Sequence, residues 1–338
     1  MCVLIGCMRS PLLIIGQGLA GTLLGHACEQ AGIAFEIVDA GHAGAASRVG
    51  AGIINPITGQ RIVKSWQIDA LRPLAWKTYR GLESVLGVPL MREMRVRRLF
   101  RDDAERRVFA EKTARGELAP YAGASDDEGF WIEGALRVDT AALITEARAR
   151  WLAMGRLREV RVGVAEALTR YETVVACTGA EGDGGWAWAG VPCARATGEI
   201  LRVAVEGLAP DVILNRGHWV LPTVSGEARV GATYTRGEVS EADIRSARAE
   251  LERSAGELVA GRPFDVIAQE SGVRVTAPDR HPLAGRDPCE PRLGIINGLG
   301  SKGALLAPWL ARQWAWHLAT GEAFDPAVAA GRFDRNRS

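Results

Sequence analysis

Residues 11–21 read Pro-Leu-Leu-Ile-Ile-Gly-Gln-Gly-Leu-Ala-Gly. The apolar, β-branched run that ends at Gly16 is typical of a buried parallel strand. The sequence beyond the glycines predicts a helix over residues 22–30, and residues 34–38 predict a second strand that leads into Asp39. The segment therefore predicts a β-α-β unit whose first turn is rich in glycine.

The glycines of this turn have the G-x-G-x-x-G spacing of a dinucleotide site. Gly16 permits the tight turn, Gly18 lets the backbone approach a pyrophosphate, and Gly21 lets helix and strand pack closely. Asp39 follows Gly21 by the interval at which a carboxylate accepts hydrogen bonds from a ribose diol, and it disfavours the 2′-phosphate of NADP. These residues alone do not distinguish an FAD site from an NAD site. The predicted nucleotide-binding residues are Gly16, Gly18, Leu19, Ala20, Gly21, Asp39 and Ala40.

The composition is that of an ordinary globular protein. The chain has 338 residues, with 41 basic against 40 acidic side chains and a net charge of +1. This balance gives no support for nucleic-acid or anionic-membrane binding, and the length suggests about two lobes. Four of the 41 basic residues are lysines, which leaves 37 arginines. We attribute this excess of arginine over lysine to the general composition of the chain, so we expect most arginines to lie on the solvated surface.

The cysteines and histidines are scattered singly, with neither a C-x-x-C pair nor the spacing of a metal site. This pattern predicts a reduced cytoplasmic protein without disulfides or a bound metal. No apolar stretch reaches the roughly 18 residues that span a bilayer. The first residues lack the basic region of a signal peptide, and Met8 is an alternative start.

The rest of the chain predicts helices interleaved with β-rich segments. We expect helices at 69–86, 102–115, 139–154, 240–259 and 304–320, and strands at 95–100, 157–164, 173–177, 199–205, 219–224, 228–235 and 293–299, with a hairpin turn at Ser225-Gly226. The β-α-β elements lie at both ends and in the middle. We therefore predict a discontinuous dinucleotide-binding domain (1–68, 130–192 and 264–338) and a substrate domain (69–129 and 193–263).

A second glycine-rich loop follows the last predicted strand. It reads Gly298-Leu-Gly-Ser-Lys-Gly303 and leads into a helix, whose N-terminus can meet electron-rich ligand atoms. A flavin needs such a feature, because its reduction builds negative charge that N–H groups or a cation can stabilise. Lys302, one of the four lysines, is a candidate for that cation.

With both loops in view, the chain resembles the D-amino-acid-oxidase-like family of FAD-dependent oxidoreductases, from about Leu12 to about Leu318. The family includes glycine oxidase, sarcosine oxidase and the flavin domain of a bifunctional tRNA wobble-uridine modification protein. The motifs that carry the resemblance are the first loop with Asp39, Ala46-Ser47 with Ala51-Gly52, Leu136-Arg-Val-Asp139, Ala176-Cys-Thr-Gly179, Val230-Gly-Ala-Thr-Tyr234, Gly272-Val-Arg274, Pro278-Asp-Arg-His-Pro-Leu-Ala-Gly285 and the second loop.

The resemblance implies an α/β fold, with a Rossmann-like FAD-binding domain of the glutathione-reductase type and an interleaved α+β substrate domain on an antiparallel sheet. It implies noncovalent FAD, because Gly272 stands where the sarcosine-oxidase branch has its flavin-linking cysteine. It places Ser47 and Arg48 near the pyrophosphate and the backbone of Val162 near the adenine. It places Thr178 and Gly179 by the ribityl chain or the pyrophosphate. The remaining implied cofactor contacts are Gly52, Gly298, Leu299, Gly300, Ser301, Lys302 and Gly303.

The resemblance also implies a reaction. Family members move hydride from a carbon that bears a neutral amine to flavin N5, and the imine product then hydrolyses. Arg274 matches the carboxylate-binding arginine of the family, whose planar fork suits a carboxylate. Trp219 and Tyr234, expected to face each other across a hairpin, match cavity-lining positions, and only Tyr234 has a hydroxyl to offer. Arg274, Tyr234, Trp219 and Lys302 are thus the candidate catalytic residues.

We therefore expect a small amino acid or an N-substituted glycine as substrate, with O2 or another electron acceptor as the second partner. Several alternatives stay open. They are a flavin dehydrogenase with a non-oxygen acceptor, a tRNA wobble-uridine-modifying flavoenzyme, an NAD-dependent dehydrogenase, and a dinucleotide-binding protein without catalysis. The near-zero net charge argues against tRNA, whose phosphates a binding surface would have to neutralise.

Overall fold

The structure is a computed structural model that describes residues 10–41, 45–181, 191, 193–223 and 226–336. Met8 and Ser225, on which two expectations rest, lie outside the described residues. Among the described residues, no helix is both long and apolar enough to cross a membrane.

The helices and strands are numbered in chain order. The helices are α1 (Leu19–Gln30), α2 (Ala46–Val49), α3 (Ile68–Leu86), α4 (Asp103–Ala114), α5 (Thr140–Ala153), α6 (Val164–Arg170), α7 (Glu241–Leu258) and α8 (Gly303–Thr320). The strands are β1 (Ser10–Ile15), β2 (Glu36–Val38), β3 (Ile53–Ile54), β4 (Ile57–Thr58), β5 (Val63–Lys64), β6 (Met91–Leu99), β7 (Ala122–Ser125), β8 (Gly129–Val138), β9 (Leu157–Arg158), β10 (Tyr171–Ala176), β11 (Ala194–Val205), β12 (Val212–Arg216), β13 (His218–Pro222), β14 (Glu227–Gly231), β15 (Thr235–Arg236), β16 (Phe264–Thr276), β17 (Leu283–Arg286) and β18 (Leu293–Asn297).

The nucleotide-binding motifs belong to a six-stranded sheet of order β17-β18-β10-β1-β2-β9. Its strands are parallel apart from β17. Leu12, Leu13 and Ile14 of β1 are buried, as the continuous apolar run predicts for a central parallel strand. Helices α1 and α8 contact each other, and the buried Trp314 of α8 donates its indole N–H to the Ile295 carbonyl at 3.0 Å. These contacts tie both helices that follow a glycine loop into one core.

The substrate-side motifs belong to a ten-stranded sheet that is mostly antiparallel. Its order is β15-β11-β14-β13-β12-β6-β8-β3, while β16 pairs with β11 and β7 pairs with β8. Strand β12 runs parallel to β6. Helix α7 covers one face, where Leu251 and Ala255 join Leu201, Val203 and Val230 in a buried cluster. Because side chains alternate along a strand, Ile200 and Arg202 point to the opposite face of the sheet.

The described chain divides into two compact units. Unit 1 comprises 1–43, 142–194 and 275–338, and unit 2 comprises 44–141 and 195–274. The mixed α/β class and the interleaving agree with the sequence. The expected boundaries grouped 44–68, 130–141 and 264–274 with the nucleotide strands, whereas these segments lie in unit 2. The reason is that β3, β8 and most of β16 pair within the ten-stranded sheet.

The structure differs from the expected elements in two local respects. A strand was expected over 157–164, but β9 ends at Arg158 and a helix, α6, begins at Val164. Among the described residues, β9 is an edge strand that pairs with β2 over two residues, which keeps it short. The expected elements also omitted β8 and β16, whose polar residues mask their alternation.

Candidate functional site

Four of the sequence-predicted segments meet at one edge of the six-stranded sheet. They follow β1, β2, β10 and β18, which are parallel neighbours in the sheet. The segments are the 16–18 turn, Asp39, the Thr178-Gly179 turn and the 298–303 loop. Ligands of such sheets bind beyond the carboxyl ends of the strands, so unit 1 holds a candidate nucleotide site at this edge.

The first turn is shaped by its glycines. Gly16 has φ +92° and donates its N–H to the Val38 carbonyl at 2.9 Å. A methyl group on Gly16 would lie 2.7 Å from the Cys177 carbonyl oxygen, and one on Gly21 would overlap the Gly16 oxygen. Gly18 is the N-cap of α1 and supplies no side-chain cap. Leu19 and Ala20 are buried in its first turn. The N-terminus of a helix favours an anion such as a phosphate.

Asp39 is buried at this edge and held by three donors. Its Oδ2 accepts the Gln17 N–H at 2.6 Å, and its Oδ1 accepts the Gly41 N–H at 2.7 Å and Nη1 of Arg148 at 3.0 Å. An ionised carboxylate offers about four acceptor sites, so one site on Oδ2 remains for a ribose hydroxyl. Arg148, from α5, also contacts Gln17 Oε1 at 3.0 Å and Glu159 at 2.8 Å.

The same contacts set the ionisation of Asp39. Burial by itself raises the pKa of the carboxyl group, but the hydrogen bonds from Gln17, Gly41 and Arg148 and the charge of Arg148 outweigh it, and the net pKa of Asp39 is lowered. The group is therefore held as a carboxylate, the form that accepts hydrogen bonds from a diol.

The second glycine loop joins the β10 turn at the same edge. The Asn297 side chain, at the end of β18, donates to the Gly179 carbonyl at 3.0 Å. The Gly300 N–H donates to the Val275 carbonyl at 2.9 Å, which fixes the loop. Lys302 is the N-cap of α8, and its half-buried ammonium group has no hydrogen-bond or ion-pair partner within the described part of the chain. Burial lowers the pKa of Lys302.

The other predicted cofactor contacts lie in different surroundings. Ala40 is exposed beside Asp39, and Val162 lies between β9 and α6, packed on the apolar cluster around Val174. Ser47 and Arg48 are half-buried in α2, and Gly52 follows them, all in unit 2.

Arg229 holds the α2 segment in place within unit 2. Its guanidinium donates to the carbonyls of Val49 and Gly50 and pairs with Glu270 at 2.8 Å. Burial lowers the pKa of Arg229, and the charge of Glu270 opposes this. The turn that carries Ser47 and Arg48 is thus fixed by a paired, buried charge.

Arg274 is half-buried and has no acidic partner in the part of the chain that the structure describes. Its Nη1 donates to the Thr233 carbonyl at 3.2 Å, and its Cζ lies 5.9 Å from the Tyr234 ring centre. Burial lowers the pKa of Arg274. A half-buried guanidinium with free donors is chemically suited to an incoming carboxylate.

Trp219 and Arg274 share one face of the ten-stranded sheet. Trp219 lies opposite Gly231, and its indole covers the space where a Gly231 side chain would stand, next to Ile200. Ile200 and Gly198 are two residues apart on β11, so they point to the same face, and the Arg274 guanidinium lies over Gly198. This face is the one opposite α7.

The expected pairing of Trp219 with Tyr234 is corrected by the register. Strand β14 ends at Gly231, which takes the place opposite Trp219, and the chain then leaves the ladder before β15. Tyr234 lies in this connection and is 50% exposed. It reaches Arg274 through its ring, and its hydroxyl makes no hydrogen bond in the described residues.

A cavity of about 330 Å³ also opens in unit 2 beside Tyr234. Its lining includes Thr233, His218 and two carboxylate residues of α7, Asp243 and Glu250, and it does not include Arg274. Its carboxylates disfavour an anionic ligand. The Arg274 face is therefore the better candidate for binding a carboxylate.

Sequence reasoning missed several residues of these sites. Arg148 and Gln17 carried no signal, because each takes its role from contacts between distant segments. Gly198 did carry a signal in the sequence. An isolated glycine inside a strand marks a close approach of another group to the backbone, and here that group is the Arg274 guanidinium.

Comparison with known proteins identifies relatives over nearly the whole chain. The sequence profile of the DAO family, described as FAD dependent oxidoreductase, matches residues 12–315. The tRNA 5-methylaminomethyl-2-thiouridine biosynthesis bifunctional protein MnmC of Maricaulis maris (strain MCS10) is 30% identical over 345 residues. That match covers 97% of this chain and 56% of the relative, so the chain spans little more than half the length of that protein.

Solved structures share the fold. The iminodiacetate oxidase of Chelativorans sp. BNC1 superposes with a TM-score of 0.76 at 22% identity, covering 95% of this chain and 98% of that one. The glycine oxidase of Geobacillus kaustophilus gives 0.73 at 20% identity, with 94% and 96% covered. The L-proline dehydrogenase of P. horikoshii gives 0.76 at 16% identity, with 97% and 98% covered.

Proposed function

Because the chain belongs to the family of FAD-dependent oxidoreductases, we propose that it oxidises the C–N bond of a small amino acid or an N-substituted glycine. The observation that carries the proposal is the half-buried Arg274 guanidinium, which has no acidic partner among the described residues. Removing such a charge from water is costly unless an anion compensates it. A substrate carboxylate is an anion of the right charge and shape.

FAD, bound noncovalently, is the cofactor, and the residues of unit 1 fit it. The N–H groups at the start of α1 suit a pyrophosphate, and the remaining acceptor site of Asp39 suits a ribose hydroxyl. A side chain at Gly16 or Gly21 would overlap backbone, so the close turn depends on both glycines. When bound, FAD supplies the two-electron oxidant of the reaction.

The proposed reaction balances as a two-electron oxidation. The substrate loses a hydride from the carbon next to nitrogen and a proton from nitrogen, and a C=N bond replaces the C–N bond. Water then adds to the imine and releases the amine and a carbonyl compound. The hydride supplies the two electrons that the oxidant takes up, and a second acceptor, O2 or another compound, restores the oxidised cofactor.

In this proposal the residues of the chain bind and orient rather than form covalent bonds. Arg274 binds the substrate carboxylate through its free donors and fixes the position of the adjacent carbon. The exposed Tyr234 ring shields the guanidinium from solvent, and Trp219 supplies an apolar wall on the same sheet face. Tyr234 also has a hydroxyl that can donate to a carboxylate.

We further propose that Lys302 stabilises negative charge that develops on the reduced cofactor. Its ammonium group is half-buried at the N-terminus of α8, and no anion compensates it within the described residues. Lys302→Met should then lower the two-electron reduction potential by about 30 mV, which corresponds to roughly 1.4 kcal/mol. The measurement is an equilibrium titration against a reference dye, with Lys77→Met, on the exposed side of α3, as control. An unchanged potential would remove Lys302 from the site.

The experiment that tests the function uses the FAD-loaded protein under anaerobic conditions. Glycine, sarcosine, iminodiacetate, proline and D-amino acids are added one at a time, and the loss of visible flavin absorbance is recorded. We expect at least one amino acid to bleach the flavin, while its methyl ester, which lacks the carboxylate charge, does so far more slowly. If no amine in the panel reduces the flavin, the proposal fails. Admission of air then separates O2 from other acceptors.

A second candidate function rests on the relative from Maricaulis maris, whose name refers to tRNA 5-methylaminomethyl-2-thiouridine biosynthesis. If this chain acts as that relative's name suggests, its substrate is an N-substituted glycine that is attached to a tRNA uridine, and not a free amino acid. The net charge of +1 gives this candidate no electrostatic support. Anaerobic addition of total tRNA distinguishes the two candidates. If tRNA bleaches the flavin and no free amino acid does, the tRNA substrate is supported.

A further inference from the structure

We infer that Gly198 is a positioning residue for the carboxylate site, because its lack of a side chain lets the Arg274 guanidinium lie flat on strand β11. The inference rests on the proposed function only in taking Arg274 as the carboxylate-binding group. No motif in the sequence links the two residues, which are 76 positions apart.

The geometry of the contact is direct. A methyl group on Gly198 would lie 2.6 Å from Cζ and 2.8 Å from Nη1 of Arg274, and closer still to Nη2. The three nearest atoms to that position all belong to the guanidinium. The plane of the group therefore rests on the glycine, in space that every other amino acid would fill.

This placement leaves one edge of the guanidinium available. Nη1 donates to the Thr233 carbonyl at 3.2 Å, while Nε and Nη2 make no hydrogen bond within the described residues. Those two nitrogens form the fork that binds a carboxylate through two parallel hydrogen bonds. Gly198 below the plane and Thr233 at one edge thus hold the fork in a single orientation before a ligand arrives.

The backbone itself does not require glycine at position 198. Gly198 lies inside β11 and is absent from the glycines with positive φ, so alanine fits the backbone conformation. The atoms that alanine would displace are the far end of a flexible side chain, so the guanidinium, not the strand, has to move. Gly198→Ala should therefore fold and lose the orientation of Arg274.

Neighbouring Gly231 shows the contrasting case. A methyl group there would lie 2.7 Å from the Trp219 ring and 3.0 Å from Ile200. Both obstacles are packed side chains, and a ring cannot move aside as a guanidinium can. Gly231 is therefore unsuitable for the test, whereas Gly198 isolates one functional group.

The test compares Gly198→Ala with wild type and with Gly81→Ala as FAD-loaded proteins. Gly81 lies in α3 with nothing within 4 Å of the added methyl, so it is a matched control. Acetate binding is measured by titration calorimetry, and KM and kcat are measured for the amino acid that reduces the flavin. We expect the acetate Kd and the KM to rise between about tenfold and a hundredfold in Gly198→Ala only. Acetate binding to Gly198→Ala as tight as to wild type, or no acetate binding by wild type, would overturn the inference.

A double-mutant cycle with Arg274→Lys tests the contact itself. Lysine has no planar group to collide with the methyl, so adding Gly198→Ala to Arg274→Lys should change the acetate Kd by less than about twofold. An equal loss in both backgrounds would mean that Gly198 acts on the strand and not on Arg274. If Gly198→Ala alone does not fold, the double variant should fold because the clash is gone, and its failure to fold would also overturn the inference.

The two proposals fail separately. If wild type binds acetate, Gly198→Ala weakens that binding and no amine reduces the flavin, then the proposed function is wrong and the positioning role stands. If an amino acid is oxidised with the same KM by wild type and Gly198→Ala, the positioning role is wrong and the proposed function stands.

Discussion

At the scale of single residues, function depends on which charges have partners. Among the described residues, most arginines pair with an acid or donate to a backbone carbonyl, and the half-buried Arg229 is compensated by Glu270. Arg274 and Lys302 are half-buried cations without an anion in the described residues. Cations of this kind are candidates for binding an anionic ligand, and the compositional excess of arginine conceals them.

Arg274→Ala should reduce kcat/KM for a carboxylate substrate by about 2–5 kcal/mol in transition-state terms, because a desolvated charge pair is lost. Steady-state kinetics over the substrate range give the value. Arg245→Ala is the control, since Arg245 lies exposed on α7 and pairs with Glu241. Equal kcat/KM in wild type and Arg274→Ala would show that the anchor lies elsewhere.

Asp39→Asn should weaken FAD binding by about 1.5–3 kcal/mol, the usual contribution of hydrogen bonds to a charged group. FAD dissociation constants from flavin fluorescence give the loss. Glu36→Gln is the matched acid-to-amide control, because Glu36 lies on β2, the strand that leads into Asp39, and contacts Tyr171 instead. Retention of FAD by Asp39→Asn at wild-type affinity would contradict the ribose role.

The lowered pKa of Asp39 also predicts the effect of pH. A carboxyl whose pKa is lower in the folded than in the unfolded protein stabilises the fold above the unfolded value of about 3.9, and the contribution is lost as pH falls through the folded value. FAD release on acidification should therefore begin below about pH 4 for wild type. Release centred near pH 6 would indicate control by another group.

At the scale of elements, helix α7 supports the sheet behind the Arg274 face. Ser240 caps it, accepting the Asp243 N–H while the Asp243 carboxylate accepts the Ser240 N–H. Leu251 and Ala255 bury its apolar side against β11 and β14. The amphipathic pattern predicts this helix over 240–259, within a residue at each end. The capping box is a finding of the structure.

Ser240→Ala should lower the free energy of unfolding by about 0.5–2 kcal/mol, because the cap hydrogen bond is lost. Denaturant unfolding followed by circular dichroism measures the change. Ser246→Ala, in the exposed middle of the same helix, should be neutral or slightly stabilising, since alanine is the better helix former. Equal effects of the two substitutions would argue against the cap.

The sequence predicted the elements that carry their own local signal. β1, α1 and α8 have apolar runs with glycine loops beside them, and Asp39 follows at a fixed interval. The rest depends on partners distant in the chain. In the described sheet β9 pairs with β2 over two residues, Tyr234 lies beyond the end of β14 at Gly231, and Arg148 contacts Asp39 only because α5 packs near the end of β2. No local pattern encodes such contacts.

At the scale of the whole molecule, cofactor binding and stability are linked. FAD bound to the folded chain alone adds about 2.7 kcal/mol to its stability at a free concentration of one hundred times Kd. Thermal unfolding of the cofactor-free protein should therefore shift upward with added FAD, and less so for Asp39→Asn at the same concentration. The same shift with NADP in place of FAD would contradict the assignment of the site.

The position of β1 in its sheet has a consequence for folding. β1 ends at Ile15, yet its neighbour β10 begins at Tyr171, and β18, which pairs with β10, begins at Leu293. The centre of the six-stranded sheet therefore forms only when segments far apart in the chain meet, and parallel pairing of this kind is slow. Until β10 is in place, the apolar residues of β1 have an uncovered edge, which makes the partly folded chain prone to aggregation.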